Sequence, residues 1–290
     1  MYSRKPERTL FLLRMLKQLE KKFRQYFPKQ LSNASFYRDA LQNKIGLEIG
    51  GPSFGFTNKG FLPIYEVATR VDGCNFSNST VWEGNISEGQ HYKYGNKIGY
   101  QYIADAIDLS VIPTATYDFI LSSHSVEHIA NPIKALHEWQ RVLKPEGIII
   151  MVVPHKDLTF DHKRPLTTIE HLVQDFSNGV NETDTTHFEE VISFHDIPMD
   201  AGIADLESLK ARTADNYSNR CVHHHIFNTP LLVQLAHYMQ WQILDVQTFS
   251  PFHIVGMFKK THPEKIDNKL FFDAAHPRYQ KLKFPSDKRW

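Results

Sequence analysis

The sequence predicts an α/β protein built on a mostly parallel sheet, and two observations lead to this prediction. Two apolar runs, Tyr117 to Leu121 and Ile148 to Val153, have the length and the β-branched content of buried parallel strands. Between them, apolar residues recur at three- and four-residue steps until Lys144-Pro145-Glu146-Gly147 ends the helical pattern. The stretch is therefore a right-handed βαβ unit, and sheets of this kind bind ligands beyond the carboxyl ends of their strands.

The composition sets limits on the class of protein. A chain of 290 residues with 41% hydrophobic content can bury a full core. Its formal net charge of +1 argues against nucleic acid as a partner. Two cysteines, Cys74 and Cys221, provide neither a disulfide framework nor a zinc pattern, and no apolar run is long enough to span a bilayer. We expect a cytoplasmic protein.

The first 44 residues differ in composition from the remainder. They carry eleven Lys and Arg against three Asp and Glu, a net charge of +8, which leaves −7 for the rest of the chain. Apolar residues from Thr9 to Phe27 follow helical spacing, so the segment predicts a basic amphipathic helix. Two interpretations stay open: packing on the core or on a second subunit in a homodimer, and peripheral contact with the inner face of an anionic membrane.

The stretch from 117 to 154 also resembles a known family. Asp118, Glu127-His128, Pro132 and the run Arg141 to Pro145 follow the pattern of S-adenosylmethionine-dependent methyltransferases of the type 11-like family. The resemblance implies a Rossmann-like methyltransferase sheet, mostly parallel with an antiparallel last strand, with helices on both faces. It also implies S-adenosyl-L-methionine as the cofactor.

The first strand and the loop after it are similar to the glycine loop of that family. Ile45 to Ile49 is apolar, and Glu48, Gly50 and Gly51 match the acid and the first glycines of the family pattern. Glycines allow the backbone to approach the methionine part of the cofactor, and the acid helps to orient it. Pro52 and Phe54 stand where further glycines are usual, so the path of the loop must differ.

The resemblance places three more cofactor contacts at strand ends. Asp72, expected at the end of the second strand, would bind the ribose hydroxyls, with Glu66 and Glu83 as alternatives, or else would be an ordinary turn residue. Asp105 would accept from the adenine amine beside the backbone N–H of Ala106, with Asp108 as a competitor. The strand that begins at Tyr117 would bring Ser122 and His124 to the same crevice.

A mainly helical cap is predicted after the fifth strand. The usual continuation of the family, a helix and two antiparallel strands, is found only at 228–239, 242–248 and 253–259. Residues 155–227 are therefore an insertion in a methyltransferase domain of residues 45–260, followed by a tail at 261–290. The insertion contains half of the 16 histidines of the chain: His155, His162, His171, His187, His195, His223, His224 and His225.

The start of the cap is expected to form the acceptor side of the site. His155 is the candidate general base, Asp161 would orient the His155 imidazole or hold a substrate hydroxyl, and His162 lies beside them. Two alternatives stay open. The cap histidines are structural, or a metal is bound by some of His155, Asp157, Asp161, His162, His223 and His225.

These features predict an S-adenosylmethionine-dependent methyltransferase. The methyl group would pass by SN2 to an oxygen or nitrogen of a small polar or glycan acceptor. A metal-assisted methyltransferase is one alternative. The other is a non-catalytic module with the same fold, recruited to a membrane or partner by the N-terminal helix, and the altered glycine loop favours it.

Overall fold

An eight-stranded sheet forms the centre of the computed structural model, which describes residues 29–273 and 284–288. The strands are β1 Ile45–Ile49, β2 Arg70–Asn75, β3 Ser79–Thr80, β4 Gly84–Asn85, β5 Gly89–Tyr94, β6 Lys97–Ile103, β7 Tyr117–Ser123, β8 Leu143–Pro154, β9 Gln242–Phe249 and β10 His253–Lys259. The helices are α1 Ala34–Leu41, α2 Pro132–Val142, α3 Ile169–Ser177, α4 Phe188–Phe194, α5 Leu206–Ala214, α6 Asn216–Asn219 and α7 Thr229–Tyr238.

The order of the strands confirms the predicted sheet. In space they run β5-β6-β2-β1-β7-β8-β10-β9, with β3 and β4 in a separate hairpin. From β6 to β8 all neighbours are parallel, while β10 is antiparallel to both β8 and β9. The chain order reverses direction at β1, which lies between β2 and β7. A crevice for ligands is expected beyond the carboxyl ends of those strands.

The βαβ unit that the sequence predicts is β7–α2–β8. The Asn131 side chain caps α2 by accepting from the backbone N–H of Lys134 at 3.0 Å, and Pro132 occupies the first turn. The apolar face of α2, which includes Leu136 and Trp139, is fully buried against the sheet. The helix is therefore fixed at its start by a cap and along its length by packing.

Helices lie on both faces of the sheet because buried side chains alternate along its strands. In β8, Ile149, Met151 and Val153 pack on the face covered by α2 and α7. Ile148, Ile150 and Val152 pack on the opposite face with Tyr37 and Leu41 of α1. Two continuous apolar layers result, and the strand ends stay free to form a site.

The strand boundaries differ from the predicted ones in one place that matters. The second strand was expected to end at Gly73, but β2 continues to Asn75. Asp72 therefore lies inside the strand, where its Oδ1 accepts from the backbone N–H of Tyr100 at 2.8 Å. The predicted end was wrong because Gly73, which suggested a turn, lies inside the strand, and no residue near Asn75 marks its actual end.

The chain leaves the sheet after β8 and forms α3 to α6 before it returns at α7. Thr168 caps α3 by accepting from the backbone N–H of His171 at 3.2 Å. These helices stand over the carboxyl end of β8. The boundaries chosen for the domain, cap and tail stay a prediction.

Two features concern the surroundings of the domain. The predicted basic helix from Thr9 to Phe27 lies outside the described residues, so its packing or membrane contact stays a prediction. Among the helices that are described, none has the length and apolar character required to cross a bilayer.

Candidate active site

A cavity of about 600 Å³ opens at the carboxyl ends of β1, β2, β6 and β7 and is covered by the cap. Cavities of this size hold drug-sized ligands and cofactors. The sheet side contributes Ile49, Gly50, Pro52, Cys74, Asn75, Phe76, Val81, Trp82, Glu83, Ala104, Asp105, Ala106, Ser123, His124, Ser125, His128 and Ile129. The cap side contributes Phe160, Glu182, Asp200, Arg212, Arg220, Cys221 and His223.

The loop after β1 reaches the cavity, and Glu48 holds it from behind. The buried Glu48 carboxylate accepts from the Ser53 backbone N–H at 3.0 Å and from the hydroxyls of Tyr65 and Tyr92. Burial raises the pKa of Glu48 in spite of these hydrogen bonds. Glu48 therefore positions the loop and does not itself line the cavity.

Gly50 provides the cradle that the cofactor would need. Its φ of +76° is a left-handed conformation, and a Cβ at this position would stand 2.4 Å from the Ser125 hydroxyl oxygen. Gly51 lies one residue further and accepts from the Asn75 side chain at 3.0 Å through its carbonyl oxygen. The altered glycine loop therefore still presents backbone to the cavity at Gly50, which opposes the non-catalytic interpretation.

Asp72 does not reach the cavity, which corrects the predicted ribose contact. Its Oδ2 accepts from the Tyr117 hydroxyl at 2.8 Å, and its Oδ1 also lies 3.1 Å from Arg70. Both oxygens are thus committed inside the sheet. Of the two alternatives, Glu83 lines the cavity, and partial burial raises its pKa. Of the acids considered for the ribose contact, Glu83 is therefore the one that lines the cavity.

Asp105 and Ala106 line the cavity where the resemblance places adenine. The cap reaches this end, because Arg220 lies 3.1 Å from Asp105 Oδ2. The same guanidinium contacts Glu182 and lies 4.8 Å from the centre of the Phe76 ring. One arginine of the cap therefore joins the sheet side and the cap side across the cofactor end.

Ser122 and His124 have different surroundings. Ser122 is buried within the sheet, and its neighbour Ser123 faces the cavity instead. His124 lines the cavity with a φ of +53°, and its Nε2 lies 2.8 Å from His253 Nδ1. Burial and the charge of His124 lower the pKa of His253 to about 4. The left-handed turn at His124 ends β7 and points its imidazole out of the sheet plane.

His155, the predicted general base, is fully buried away from the cavity. Its ring stacks on Phe284 at 4.1 Å, and its Nε2 lies 3.1 Å from Asp287 Oδ1. Its Nδ1 accepts from the backbone N–H of Asp157. The prediction was wrong because residues 284–288 of the tail cover the end of β8, so no substrate can reach this imidazole.

His162 also lies outside the cavity. Its Nε2 is 2.7 Å from Asp196 Oδ2, and about a third of its side chain is exposed to solvent on the outer side of the cap. A histidine placed there cannot meet a substrate in the cavity, so this predicted catalytic residue is corrected as well.

Asp161 was expected to orient the His155 imidazole, but it pairs with His223 instead. Asp161 Oδ2 lies 2.6 Å from His223 Nδ1, and Asp161 Oδ1 lies 3.1 Å from Arg164. Burial acts to raise the pKa of Asp161, but the charge and hydrogen bond of His223, together with Arg164, hold that pKa at about 2. Asp161 is therefore an ionised residue behind the cavity wall.

His223 and His128 are site residues whose position the sequence analysis did not predict, since it named His223 only as a possible metal ligand and His128 only as part of the family pattern. Both line the cavity, and their rings meet edge to face at 4.5 Å. His128 Nδ1 lies 3.2 Å from the Val222 carbonyl oxygen, and burial lowers the pKa of His128 to about 4. The sequence contained one signal, the run of histidines from 223 to 225, but nothing in it selects the first of the three.

The metal-ligand set considered from the sequence is not assembled. His155 pairs with Asp287, Asp161 with His223, and His162 with Asp196. Asp157 accepts from the Ser286 backbone N–H at 2.9 Å. These side chains point to separate partners, so as a group they cannot surround one ion.

The fold and the cavity together define a class of protein. Residues 59–151 match the profile of a family described as a methyltransferase domain. With the strand order of the sheet, this match shows that the chain is an S-adenosylmethionine-dependent methyltransferase with a class I, Rossmann-like fold. Gly50, Asp105 and Ala106 would hold that cofactor. The sequence matches no curated protein.

Several solved structures are similar to this chain. One is a 1,6-didemethyltoxoflavin-N1-methyltransferase of Burkholderia thailandensis with bound 1,6-didemethyltoxoflavin and S-adenosylhomocysteine, at 13% identity and a TM-score of 0.43 over 90% of this chain and 92% of that one. An S-adenosylmethionine-dependent methyltransferase of Mesorhizobium loti has 12% identity and a TM-score of 0.44 over 78% and 95% of the two chains. A third, from Aquifex aeolicus, has 11% identity and a TM-score of 0.39 over 79% and 90%. Residue roles therefore rest on the geometry of this chain alone.

Proposed function

We propose that this protein transfers the methyl group of S-adenosylmethionine to an oxygen or nitrogen of a small polar or glycan acceptor, with His223 as the general base. The observation that supports this most directly is the Asp161–His223 pair on the cap side of the cavity. It faces the strand ends that carry Gly50 and Asp105. Donor and acceptor would thus meet between two walls of one cavity.

The donor end is formed by the sheet. S-adenosylmethionine supplies an electrophilic methyl group on a sulfonium. What the protein must contribute is mainly position, because SN2 transfer requires the nucleophile in line with the carbon–sulfur bond. Gly50 allows close approach of the backbone, and Asp105 beside Ala106 offers an acceptor next to a backbone N–H for the adenine edge.

The acceptor end is polar, and this supports the proposed substrate class. The cap wall presents the carboxylate of Asp200, the guanidinium of Arg212 and the Phe160 ring. Arg212 also fixes Asp200 at 2.7 Å. Carboxylates, guanidinium groups and an aromatic face suit hydroxyl-rich or amine-bearing molecules, since such molecules both donate and accept hydrogen bonds.

Burial acts to lower the pKa of His223, but Asp161 raises it above its ordinary value. The neutral form of His223 would accept the proton of the acceptor. Asp161 holds His223 Nδ1 at 2.6 Å, which leaves Nε2 as the nitrogen available to the cavity. As the nucleophile attacks, its O–H or N–H bond electrons stay on the attacking atom and its proton moves to Nε2. The carbon–sulfur bond electrons remain on sulfur, which leaves as a neutral thioether. Asp161 stabilises the imidazolium that results.

The test compares His223→Asn with His162→Asn. Asn retains a donor for Asp161 but lacks a basic nitrogen, so His223→Asn should lower turnover by about 10²–10⁴ while donor affinity stays nearly unchanged. His162 is a cap histidine that also pairs with an acid but lies outside the cavity, so it is the matched control.

Turnover is measured as S-adenosylhomocysteine released from a panel of sugars, sugar nucleotides and small amines, and donor affinity by calorimetry. Equal losses in the two variants, or full activity of His223→Asn, would contradict the role of His223. Turnover on nucleic acid or protein alone would contradict the acceptor class.

A further inference from the structure

Four side chains with metal-binding groups meet inside the cap, outside the cavity. His171 and Asp175 lie one turn apart on α3, His187 directly precedes α4, and His225 lies in the segment before α7. One ligand atom from each lies within 4.8 Å of all the others. These four residues come from three separate segments of the chain, so no short sequence motif indicates the cluster.

The distances within this cluster suit tetrahedral coordination. His171 Nε2 is 3.3 Å from His187 Nε2 and 3.2 Å from Asp175 Oδ2. His225 Nε2 is 3.7 Å from the same Asp175 oxygen, but it also donates to the Ala130 carbonyl oxygen at 3.2 Å. Ligands bound to zinc at about 2.0–2.1 Å in a tetrahedron are separated by about 3.3–3.4 Å. The separations of 3.2 and 3.3 Å match this geometry, and the remaining pairs, which lie within 4.8 Å, would draw closer around a bound cation.

The three imidazole rings are also arranged around a common point. They meet pairwise at angles of 65° to 73°, with ring centres 5.1 to 5.7 Å apart. Edge-to-face contact is also common between packed rings. The arrangement is therefore compatible with a shared ligand, and the distances between the ligand atoms carry the argument.

Two buried polar atoms of the cluster lack hydrogen-bond partners within the described part of the chain. They are Asp175 Oδ2 and His225 Nδ1, both inaccessible to solvent. Buried polar atoms are almost always paired. Because His225 Nε2 donates to the Ala130 carbonyl oxygen, the unpaired Nδ1 is the nitrogen of this ring with a free lone pair, as in metal-binding histidines whose other N–H is held by a carbonyl.

We propose that His171, Asp175, His187 and His225 bind one Zn²⁺ ion in a closed tetrahedral site. Three imidazoles and one carboxylate are a ligand set that suits zinc, and four protein ligands leave no open position for a substrate. The ion is structural. It joins α3, the start of α4 and the segment of His225, and so fixes His223, two residues away, at the cavity wall.

Two overlapping groups of residues are weaker candidates. In the set of Asp184, His187 and His224, the Asn216 Oδ1 accepts from the backbone N–H of Val222, so its Nδ2 must donate to His224 Nε2. That leaves the proton of neutral His224 on Nδ1, the nitrogen that faces Asp184 at 3.8 Å. His224 is therefore a poor ligand.

The second group is Glu127, His128 and His223, which borders the cavity. Its His128 Nε2 stands 3.9 Å from Glu127 Oε1, a longer separation than those at the zinc site. It would also leave open positions, as catalytic metal sites do. This group is the main competitor, and the experiment separates the two.

The experiment measures the metal content of the full-length protein by mass spectrometry, after incubation with Zn²⁺ and dialysis. The wild type should retain one Zn²⁺ per chain. His171→Gln and Asp175→Asn should weaken zinc binding at least about tenfold, since loss of even an outer partner commonly costs 10–100-fold. His137→Gln is the matched control: this exposed histidine packs on Phe176 of α3 but lies outside the cluster.

Substitution with Co²⁺ gives a second readout that does not depend on any variant folding. The wild type should show the intense visible absorption of four-coordinate Co²⁺. No retained zinc, or the weak spectrum of a six-coordinate ion, overturns the proposal. Zinc retained by His171→Gln but lost from His128→Gln also overturns it and assigns the metal to the cavity.

Discussion

Asp161 shows what a single residue contributes to this site. It is almost fully buried, with His223 and Arg164 on its two oxygens. The ion pair with Arg164 is reinforced because Arg164 also donates to the His223 carbonyl oxygen at 2.7 Å. The three groups fix one another, and His223 is thereby held in one orientation at the cavity wall.

The depressed pKa of Asp161 predicts how stability depends on pH. Because the folded-state pKa of about 2 is below the ordinary value near 3.9, ionised Asp161 contributes about 2 kcal/mol to the free energy of unfolding. This contribution is complete above the ordinary pKa and is lost as the pH falls towards 2. Asp161→Asn should therefore be destabilised at pH 7, and its difference from the wild type should shrink between about pH 4 and pH 2.

Urea denaturation at several pH values measures this difference. Asp215→Asn, a change at an exposed acid of the same cap, should follow the wild type throughout. A difference between Asp161→Asn and the wild type that is independent of pH would show that Asp161 is not ionised in the fold, or that packing alone causes the loss.

At the scale of residues, the sequence predicted which residues lie at the strand ends better than it predicted which side chains pair with one another. Asp105, Ala106 and His124 were placed in the crevice because strand ends follow from local patterns. His155 was placed there by the same logic, and the error came from Asp287, more than a hundred residues later in the chain. Which acid meets which imidazole depends on tertiary packing, and no spacing in the sequence encodes it.

Among the structural elements, the short segment at 284–288 connects two parts of the fold through several buried hydrogen bonds. Asp287 accepts from the Thr229 backbone N–H and from the Thr229 hydroxyl, both at 2.9 Å, and faces His155. The Asn228 side chain donates to the Ser286 carbonyl oxygen at 3.0 Å. The segment thus joins the end of β8 to the start of α7.

Removal of the Asp287 carboxylate should weaken this junction. Asp287→Ala leaves buried donors unpaired, so we expect the free energy of unfolding to fall by about 1–3 kcal/mol. Lys288→Ala changes the exposed neighbour and should have no effect. Urea denaturation provides the measurement. If the two variants are equally stable, the segment does not hold the junction.

The elements of the sheet were predictable because each has a strong local pattern. β7, α2 and β8 show periodic apolar residues, the run from Lys144 to Gly147 closely follows the end of α2 at Val142, and β9 and β10 follow a capped helix. The hairpin of β3 and β4 and the edge strand β5 were missed. Their residues are largely polar or exposed, so neither periodicity nor apolar content marks them.

For the whole molecule, the sheet and the cap form opposite walls of one cavity, with Arg220 between them. A ligand in the cavity contacts both walls and should stabilise the entire fold. S-adenosylhomocysteine at a hundredfold excess over its Kd should add about 2.7 kcal/mol to the free energy of unfolding.

Asp105→Ala should weaken binding of this ligand by about 1–3 kcal/mol, or about 5- to 150-fold in Kd, because the adenine amine loses its acceptor. Asp108→Ala is the control, since this exposed acid bonds only locally, to the Ser110 backbone N–H. Calorimetric titration measures both. Unchanged affinity in Asp105→Ala would place the adenine elsewhere in the cavity.

The two cysteines of the chain, Cys74 and Cys221, line this cavity from opposite walls. Burial raises the pKa of Cys74 to about 12, so its thiol stays protonated and inert at neutral pH. Cys221, partly accessible on the cap, is the thiol that a labelling reagent can reach, and because burial raises its pKa too, labelling requires alkaline pH. A fluorophore attached there needs no engineered cysteine and sits beside the acceptor, so the chain already carries a single attachment point for optical detection of ligands.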